Sequence, residues 1–176
     1  MKRIPTLTTY LEMRKPCMPQ VKPPVHSVQV KRLESPTVEH YRFLYHSVGK
    51  DYNWVDRILM PDDELSRILE DDAIEIYVLK VGNETAGFAE LDLREPGEVE
   101  LGYFGLFPDF IGMGLGKYFL VWTLNQAWSH APTRVWLHTC DLDHPAALNN
   151  YRRAGLTVYD RKTIQQVVPD RAEELR

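Results

Sequence analysis

One segment says most about this chain: Leu106-Phe107-Pro108-Asp109-Phe110-Ile111-Gly112-Met113-Gly114-Leu115-Gly116-Lys117. It joins a predicted strand to a predicted helix and has glycine at three alternate positions. Glycine lets a ligand approach backbone N–H groups closely, and a helix start adds unpaired N–H donors and the positive end of the helix dipole. The segment is therefore suited to holding phosphate oxygens, although a glycine-rich turn without a ligand would explain the same pattern.

Two common phosphate loops do not fit this segment. A Walker A loop needs glycine where Ile111 stands and Ser or Thr where Tyr118 stands. A dinucleotide-binding loop opens the first βαβ unit and is followed by an acidic residue at the end of the next strand. Here the loop follows three antiparallel strands, and the next predicted strand, Arg134 to Cys140, ends in a thiol.

The three strands before the loop are predicted from runs of β-forming residues separated by two turn pairs. They are Ile74 to Val81, Thr85 to Leu93 and Glu98 to Phe107. Gly82-Asn83 suits a hairpin turn and Pro96-Gly97 suits a type II turn, so neighbouring strands are expected to run antiparallel. This part of the chain therefore predicts a β-meander.

The remaining elements are predicted from hydrophobic spacing and from helix start and stop signals. In chain order they are a strand at Val28 to Leu33, a helix after Ser35-Pro36, a helix near Pro61, a helix from Leu115 to about His130, a strand at Arg134 to Cys140, a helix from Asp143 closed by Gly155, and a strand from Leu156 to Val168. The order β-α-α-β-β-β-α-β-α-β predicts an α/β fold, with a twisted, mainly antiparallel mixed sheet flanked by helices. One helical crossover, between the strands at Glu98 and Arg134, requires those two strands to be parallel.

Composition argues against several classes of protein. The 176 residues carry 21 basic and 25 acidic side chains, and the net charge of −4 argues against a nucleic-acid partner because such proteins normally carry a basic stripe. Cys17 and Cys140 lie far apart and the six histidines show no ligand spacing, so no metal site is expected. No apolar run reaches the ~18 residues that span a bilayer, so we expect a cytoplasmic protein without a membrane partner.

Residues 1–24 differ from residues 25–176, which we interpret as a single domain. They hold five prolines and a charge of +4, which leaves −8 on the rest of the chain. We interpret them as a proline-rich basic arm, either a partly disordered tail or an extended segment with a short strand at Thr8 to Leu11. The opposite charges predict that the arm packs along an acidic face of its own chain or of a second copy in a homo-oligomer.

The glycine loop resembles that of the GNAT superfamily, the acetyl-CoA-dependent N-acetyltransferases. The family's loop reads Arg or Gln, two residues, Gly, one residue, then Gly or Ala. Gly114 and Gly116 take the two small positions, while Ile111 departs from the preferred Arg or Gln. The family's last helix has the pattern Ala-x-x-x-Tyr-x-x-x-Gly-Phe. The same spacing is present here, with Leu in place of Phe, at Ala147, Tyr151, Gly155 and Leu156.

The resemblance covers Val28 to Val168 and implies a GNAT-like fold, an acetyl-CoA cosubstrate, no metal and an amine acceptor. It places the cofactor contacts in the loop and at the end of the strand before it. These residues are Leu106, Phe107, Ile111, Gly112, Met113, Gly114, Leu115, Gly116 and Lys117. His144 stands where the family often has asparagine, so a pantetheine contact is not carried over to that position.

Acetyl transfer needs a neutral amine, a stabilised oxyanion and a proton for the departing thiolate. By resemblance Tyr151 is the general acid, and the alternative is a tyrosine that only packs against the sheet. Glu100 aligns with a strand position that supplies a glutamate in part of the family. It acts as a direct base, as a base through water, or as a solvated bystander. We expect Glu100 on one strand face with Glu98, Gly102 and Phe104, and we expect Glu98 to contact the acceptor.

The acceptor pocket of this fold is usually built from the first two helices and the loop between them. In this chain the loop holds Tyr52 and Trp54 among acidic residues, a combination that suits a cation. The alternative is that these side chains only cap the core. His138 and Cys140, on the strand next to that of Glu100, are interpreted as lining the same cleft as Glu100, and the alternative for His138 is a purely structural role.

These features predict an N-acetyltransferase that moves an acetyl group from acetyl-CoA to a primary amine of a small molecule or peptide. The amine attacks the thioester directly, with Tyr151 as the general acid. One alternative is a non-catalytic acyl-CoA-binding or regulatory module of the same fold. Another is an interaction domain whose N-terminal arm is the functional part.

Overall fold

The computed structural model contains seven strands and five α-helices within the residues that it describes, 1–16 and 19–170, so Cys17 lies outside. The strands are β1 (Lys2–Met13), β2 (Val28–Arg32), β3 (Ile74–Val81), β4 (Glu84–Asp92), β5 (Glu98–Leu106), β6 (Arg134–Cys140) and β7 (Thr157–Val168). The α-helices are α1 (Val38–Gly49), α2 (Asp56–Leu59), α3 (Asp62–Leu69), α4 (Leu115–Ser129) and α5 (Ala147–Arg153). Two short 3₁₀ helices lie at Lys50–Tyr52 and Pro108–Phe110.

These strands form one sheet in the order β2-β3-β4-β5-β6-β1-β7. Neighbouring strands are antiparallel except β5 and β6, which are parallel because α4 crosses from the end of one to the start of the other. The predicted mixed sheet, its meander and its parallel pair are confirmed. The predicted order of elements also holds from β2 onward, with the short helix α2 added between α1 and α3.

The first strand corrects the interpretation of the N-terminal residues as an arm. β1 has 12 residues and lies inside the sheet between β6 and β7, where Leu11 is fully buried. Pro5 is accommodated because β1 pairs with β6 only from Thr8 onward, so earlier residues need hydrogen bonds on one side only. The strand expected at Thr8 to Leu11 is therefore present but longer. The expected boundary at residue 24 is therefore not a boundary of the sheet, because β1 lies before it and belongs to the sheet.

The sheet packs a hydrophobic core on each of its faces. α4 covers the first core, which includes Leu11, Phe119 and Leu137. α1 and α3 cover the second core, which includes Tyr41 and Phe88. Within the described part of the chain, none of the helices has the length and apolar character needed to cross a membrane.

A bulge in β5 changes which side chains share a face of the sheet. Successive residues of β4 pair with Leu101 and Tyr103, so Gly102 is an extra residue in β5. Beyond the bulge Tyr103 packs against the second core and Phe104 against the first. The expectation that Phe104 lies on the same face as Glu100 is wrong, because the extra residue reverses the alternation.

The buried position of β1 predicts a large effect of truncating one of its leucines. Leu11→Ala should destabilise the protein by about 2–5 kcal/mol, the usual cost of truncating a buried leucine. Leu7→Ala, on the same strand but 43% exposed, should change the free energy of unfolding by less than about 0.5 kcal/mol. Urea unfolding measures both values. Equally small effects would show that β1 does not belong to the folded sheet.

Candidate active site

The glycine loop connects β5 to α4 through a backbone that favours glycine. Gly112 and Gly114 have φ values of +88° and +77°, in the left-handed region. Gly114 precedes α4 without a side-chain hydrogen bond that caps it, and the first turn of α4, which is fully described, holds Lys117 but no acidic residue. The first N–H groups of α4 are therefore suited to an anion, which the helix dipole also favours.

The loop leaves space beside two of its three glycines. A Cβ atom added to Gly112 would meet no described atom within 4 Å, and one added to Gly116 would meet Leu106 Cδ1 at 3.7 Å. A Cβ atom on Gly114 would lie 3.3 Å from Pro24, in the segment that follows β1. A ligand can therefore approach the backbone at Gly112 and Gly116.

The sheet opens next to this loop. Among the described residues, β5 and β6 pair only through three positions, from Glu98–Arg134 to Glu100–Trp136. Both strands continue beyond these pairs, to Leu106 and Cys140, without hydrogen-bonding to each other there. We call this space the β5–β6 opening. A ligand held at the loop through its phosphates would lie next to the unpaired edges of both strands.

Tyr151, on α5, lies at this opening on the side of the first core. Its ring centroid is 6.5 Å from that of Phe104 on β5. Burial raises the pKa of Tyr151 well above its ordinary value, and the negative charge of Asp143 raises it further. The phenol therefore stays protonated at neutral pH and is chemically able to donate a proton.

Asp143 connects the two sides of the opening, a role that the sequence analysis missed. Its Oδ2 atom accepts hydrogen bonds from Thr139 Oγ1 at 2.6 Å and from the Cys140 N–H at 2.9 Å. Its Oδ1 atom accepts a hydrogen bond from the indole N–H of Trp54 at 3.1 Å. The carboxylate thus ties the end of β6 to the loop after α1.

Two predicted acceptor residues lie on the second-core side of the opening. Trp54 packs against Tyr45 and Tyr103, with ring centroids 5.3 Å apart in both pairs. Tyr52 contacts the His144 ring at a centroid distance of 5.9 Å. These rings form an aromatic wall that faces the end of β6.

A buried ion pair supports this aromatic wall. Arg57 of α2 pairs with Glu90 of β4 at 2.8 Å, and the Tyr41 hydroxyl donates a hydrogen bond to the other oxygen of Glu90. The guanidinium carbon of Arg57 lies 5.4 Å from the centre of the Tyr103 ring. The pair therefore fixes α2, and with it the loop that carries Trp54, against β4 and β5.

Glu100, the predicted base, and Glu98, predicted to contact the acceptor, lie near the start of β5, away from the glycine loop. Glu98 and Glu100 line a cavity of about 590 Å³. The other lining residues are Asp92, Arg94, Glu95 and Trp136. Glu100 Oε1 lies 3.4 Å from Nδ1 of His138 on β6. The predicted acceptor residues thus fall into two groups, the aromatic wall and this acidic cavity.

Comparison with known protein families agrees with the motifs. The family model described as "Acetyltransferase (GNAT) family" matches residues 41–156. The match includes the meander, the glycine loop and the helix that carries Tyr151. No curated protein gives a significant match to this chain.

Solved structures show the same fold. A GCN5-related N-acetyltransferase from Kribbella flavida matches with a TM-score of 0.65 and 15% identity, over 99% of this chain and 63% of that protein. An aminoglycoside acetyltransferase from an uncultured soil metagenomic sample has a TM-score of 0.62 and 15% identity, over 82% and 94% of the two chains. The ribosomal-protein-S18-alanine N-acetyltransferase of Escherichia coli has a TM-score of 0.57 and 16% identity, over 73% and 76%. The chain spans less than two thirds of the Kribbella protein.

The environment of Cys140 predicts that this thiol is unreactive at neutral pH. Burial raises the pKa of Cys140 to about 11, and the charge of Asp143 contributes to the rise. Because the thiolate is the nucleophile and a free thiol has a pKa of about 8.5, alkylation by iodoacetamide at pH 7.5 should be on the order of 100-fold slower than that of glutathione.

Peptide mapping by mass spectrometry separates Cys140 from Cys17 in this experiment. Asp143→Asn should speed the alkylation of Cys140, because it removes a charge that disfavours the thiolate. Alkylation at the rate of a free thiol, or an acetyl group found on Cys140 after incubation with acetyl-CoA, would contradict this account.

Proposed function

Because the chain belongs to the GNAT acetyltransferase family, we propose that it is an N-acetyltransferase using acetyl-CoA and a primary amine of a small molecule or peptide. The observation that carries the proposal is the position of the glycine loop at one end of the β5–β6 opening, with Tyr151 beside the same opening. On this proposal the phosphates bind at the loop, and the pantetheine arm of the cofactor runs along β5 toward Tyr151, the proton donor.

The loop would hold the pyrophosphate of acetyl-CoA. Backbone N–H groups at Gly112, Gly114 and Gly116 supply donors that need no side chain, and Lys117 adds a positive charge in the first turn of α4. Ile111 is 44% exposed, so the position where the family prefers Arg or Gln offers a ligand only an apolar contact. The remaining cofactor contacts are proposed at Leu106, Phe107, Met113 and Leu115.

The transfer is proposed to be direct, without an acyl-enzyme. The amine nitrogen attacks the thioester carbonyl, a C–N bond forms, and the C–S bond breaks to release CoA. The Tyr151 hydroxyl gives its proton to the departing sulfur and regains one from solvent, while the amine loses a proton to a base. The raised pKa of Cys140 supports the direct route, because a protonated thiol is a poor nucleophile.

Glu100 is proposed to accept the amine proton through water. It lies four residues before Phe104, the β5 residue beside Tyr151. Because Gly102 is an extra residue in the bulge between them, the two positions are about 10 Å apart, and their side chains lie on opposite faces of the sheet. A carboxylate at that separation does not reach an amine placed near Tyr151 directly. Glu100 is partly exposed at the acidic cavity, so water molecules have access to it.

The acceptor is proposed to be cationic before it reacts. Glu95, Glu98 and Glu100 bring negative charge to one cavity with the Trp136 ring. Arg94 there is paired with Asp92 at 2.6 Å, and Arg134 lies 3.7 Å from Glu98, so among the described residues three carboxylates still outnumber the one arginine left to balance them. Carboxylates and aromatic rings both attract ammonium groups. Two structural neighbours are named for an aminoglycoside and for a protein alanine, and both of these acceptors carry ammonium groups.

Cofactor binding is tested by placing a charge in the loop without straining the backbone. Gly116→Glu should fold, since an acidic residue in the first turn suits the helix dipole, but its carboxylate should repel the pyrophosphate. Gly116→Gln has the same size without the charge. Calorimetry should show a loss of CoA affinity of at least about tenfold for the Glu variant relative to the Gln variant. Equal affinities would place the pyrophosphate elsewhere.

Turnover is tested by CoA release with a panel of primary amines, including an aminoglycoside, a polyamine and a peptide. At least one amine should stimulate release. Tyr151→Phe should keep acetyl-CoA affinity and lose on the order of 10²–10⁴-fold in single-turnover rate, the usual contribution of a general acid. Glu100→Gln should lose activity near neutral pH and regain part of it at alkaline pH, where more of the amine is already neutral.

The outcomes of this experiment separate the possible roles. CoA binding without release by any amine would favour the non-catalytic acyl-CoA-binding module. A Tyr151→Phe enzyme with the rate of the unchanged protein would show that the tyrosine only packs against the sheet. An unaltered pH–rate profile of Glu100→Gln would show that this carboxylate is a bystander.

A further inference from the structure

A hydrogen bond crosses the β5–β6 opening at the end where Tyr151 lies. The indole N–H of Trp54, in the loop after α1, donates to Asp143 Oδ1 in the loop after β6, at 3.1 Å. The Tyr52–His144 ring contact joins the same two loops. The opening is therefore closed on the second-core side by a connection that is not part of the sheet.

Trp54 is seated firmly in this position. Its ring packs against Tyr45 and Tyr103, and a Cβ atom on Gly49 would overlap it, so the indole lies directly on the backbone at the end of α1. The Arg57–Glu90 pair holds the chain that follows. Swinging the ring away would expose apolar surface and break the bond to Asp143.

Asp143 is held in place by hydrogen bonds from the end of β6. Thr139 and Cys140 donate to its Oδ2 atom at 2.6 and 2.9 Å, so the carboxylate keeps its place at the end of β6. Tyr103, which packs against Trp54, and Phe104, which packs against Tyr151, are successive residues of β5, so the bond from Trp54 to Asp143 lies close to Tyr151 across the opening. A group that reaches this point from the direction of the glycine loop meets the Trp54 ring and a negative charge together.

We propose that Trp54 and Asp143 select the acyl group, admitting short uncharged chains such as acetyl and propionyl and rejecting long or carboxylate-bearing ones. The inference rests on the proposed function, because it takes the acyl end of acyl-CoA to lie beside Tyr151. Trp54 limits the length of the chain by its bulk. Asp143 repels a terminal carboxylate, such as that of a succinyl group, which would lie close to its own charge.

The inference is tested first by measuring the affinity of the unchanged protein for different acyl-CoA species, with no acceptor present. Calorimetry compares free CoA with acetyl-, propionyl-, hexanoyl- and succinyl-CoA. Acetyl- and propionyl-CoA should bind within about threefold of CoA, whereas hexanoyl- and succinyl-CoA should bind at least about tenfold more weakly than acetyl-CoA. Because CoA is common to all the ligands, the differences report on the acyl group alone.

Two variants separate the effect of acyl-chain length from the effect of a terminal charge, and a third serves as a control. Trp54→Leu should restore much of the hexanoyl-CoA affinity and leave succinyl-CoA weak, whereas Asp143→Asn should restore succinyl-CoA and leave hexanoyl-CoA weak. Tyr159→Leu, which removes a 42% exposed ring on β7, should leave the series unchanged. Thermal melting checks that each variant is folded. If Trp54→Leu does not fold, the affinities of the unchanged protein for the acyl-CoA series still show whether long and carboxylate-bearing acyl groups are rejected.

The results distinguish failure of this inference from failure of the proposed function. Equal affinities for all acyl-CoA species would overturn the selection by Trp54 and Asp143 while leaving CoA binding intact. No binding of CoA or of any acyl-CoA would overturn the proposed function and this inference with it. Weak hexanoyl- and succinyl-CoA binding that each variant restores separately would support both.

Discussion

The parallel pairing of β5 and β6 extends over only three residue pairs, and the arrangement of the candidate site depends on this limit. The crossover through α4 makes the two strands parallel, and their separation beyond Glu100 and Trp136 opens the sheet. The glycine loop, which ends β5, therefore lies at the opening rather than on a closed sheet edge. α5 brings Tyr151 to one face of the opening, and the loop after α1 brings Trp54 to the other.

Much of the fold could be predicted because its signals are local. Turn pairs separate the strands of the meander, apolar spacing marks α4, and Gly155, with φ of +101°, ends α5 as expected. The place of β1 could not be predicted in this way. Its partners are β6 and β7, more than 120 residues later in the chain, and the five prolines and basic charge of residues 1–24 indicated an arm with at most a short strand. Pro5 is tolerated because the first residues of β1 pair with β7 alone, so its missing N–H is not needed for a second neighbouring strand.

In the candidate site, too, features with local sequence signals could be predicted, and features that depend on distant residues could not. The loop glycines and Tyr151 were identified from spacing within a few residues, and the structure places both at the β5–β6 opening. Asp143 was interpreted only as a helix start, because its bond to Trp54 joins residues 89 positions apart and leaves no local pattern. The bulge at Gly102 likewise depends on how β4 pairs with β5, so the expected shared face of Glu100 and Phe104 could not be corrected from the sequence.

The central claim is that the β5–β6 opening binds acetyl-CoA with its phosphates at the glycine loop. A crystal structure of the protein with acetyl-CoA tests this most directly. The account predicts the pyrophosphate on the backbone N–H groups from Gly112 to Gly116, and the thioester sulfur within hydrogen-bonding reach of the Tyr151 hydroxyl. A pyrophosphate bound away from this loop, or a thioester outside the β5–β6 opening, would contradict it.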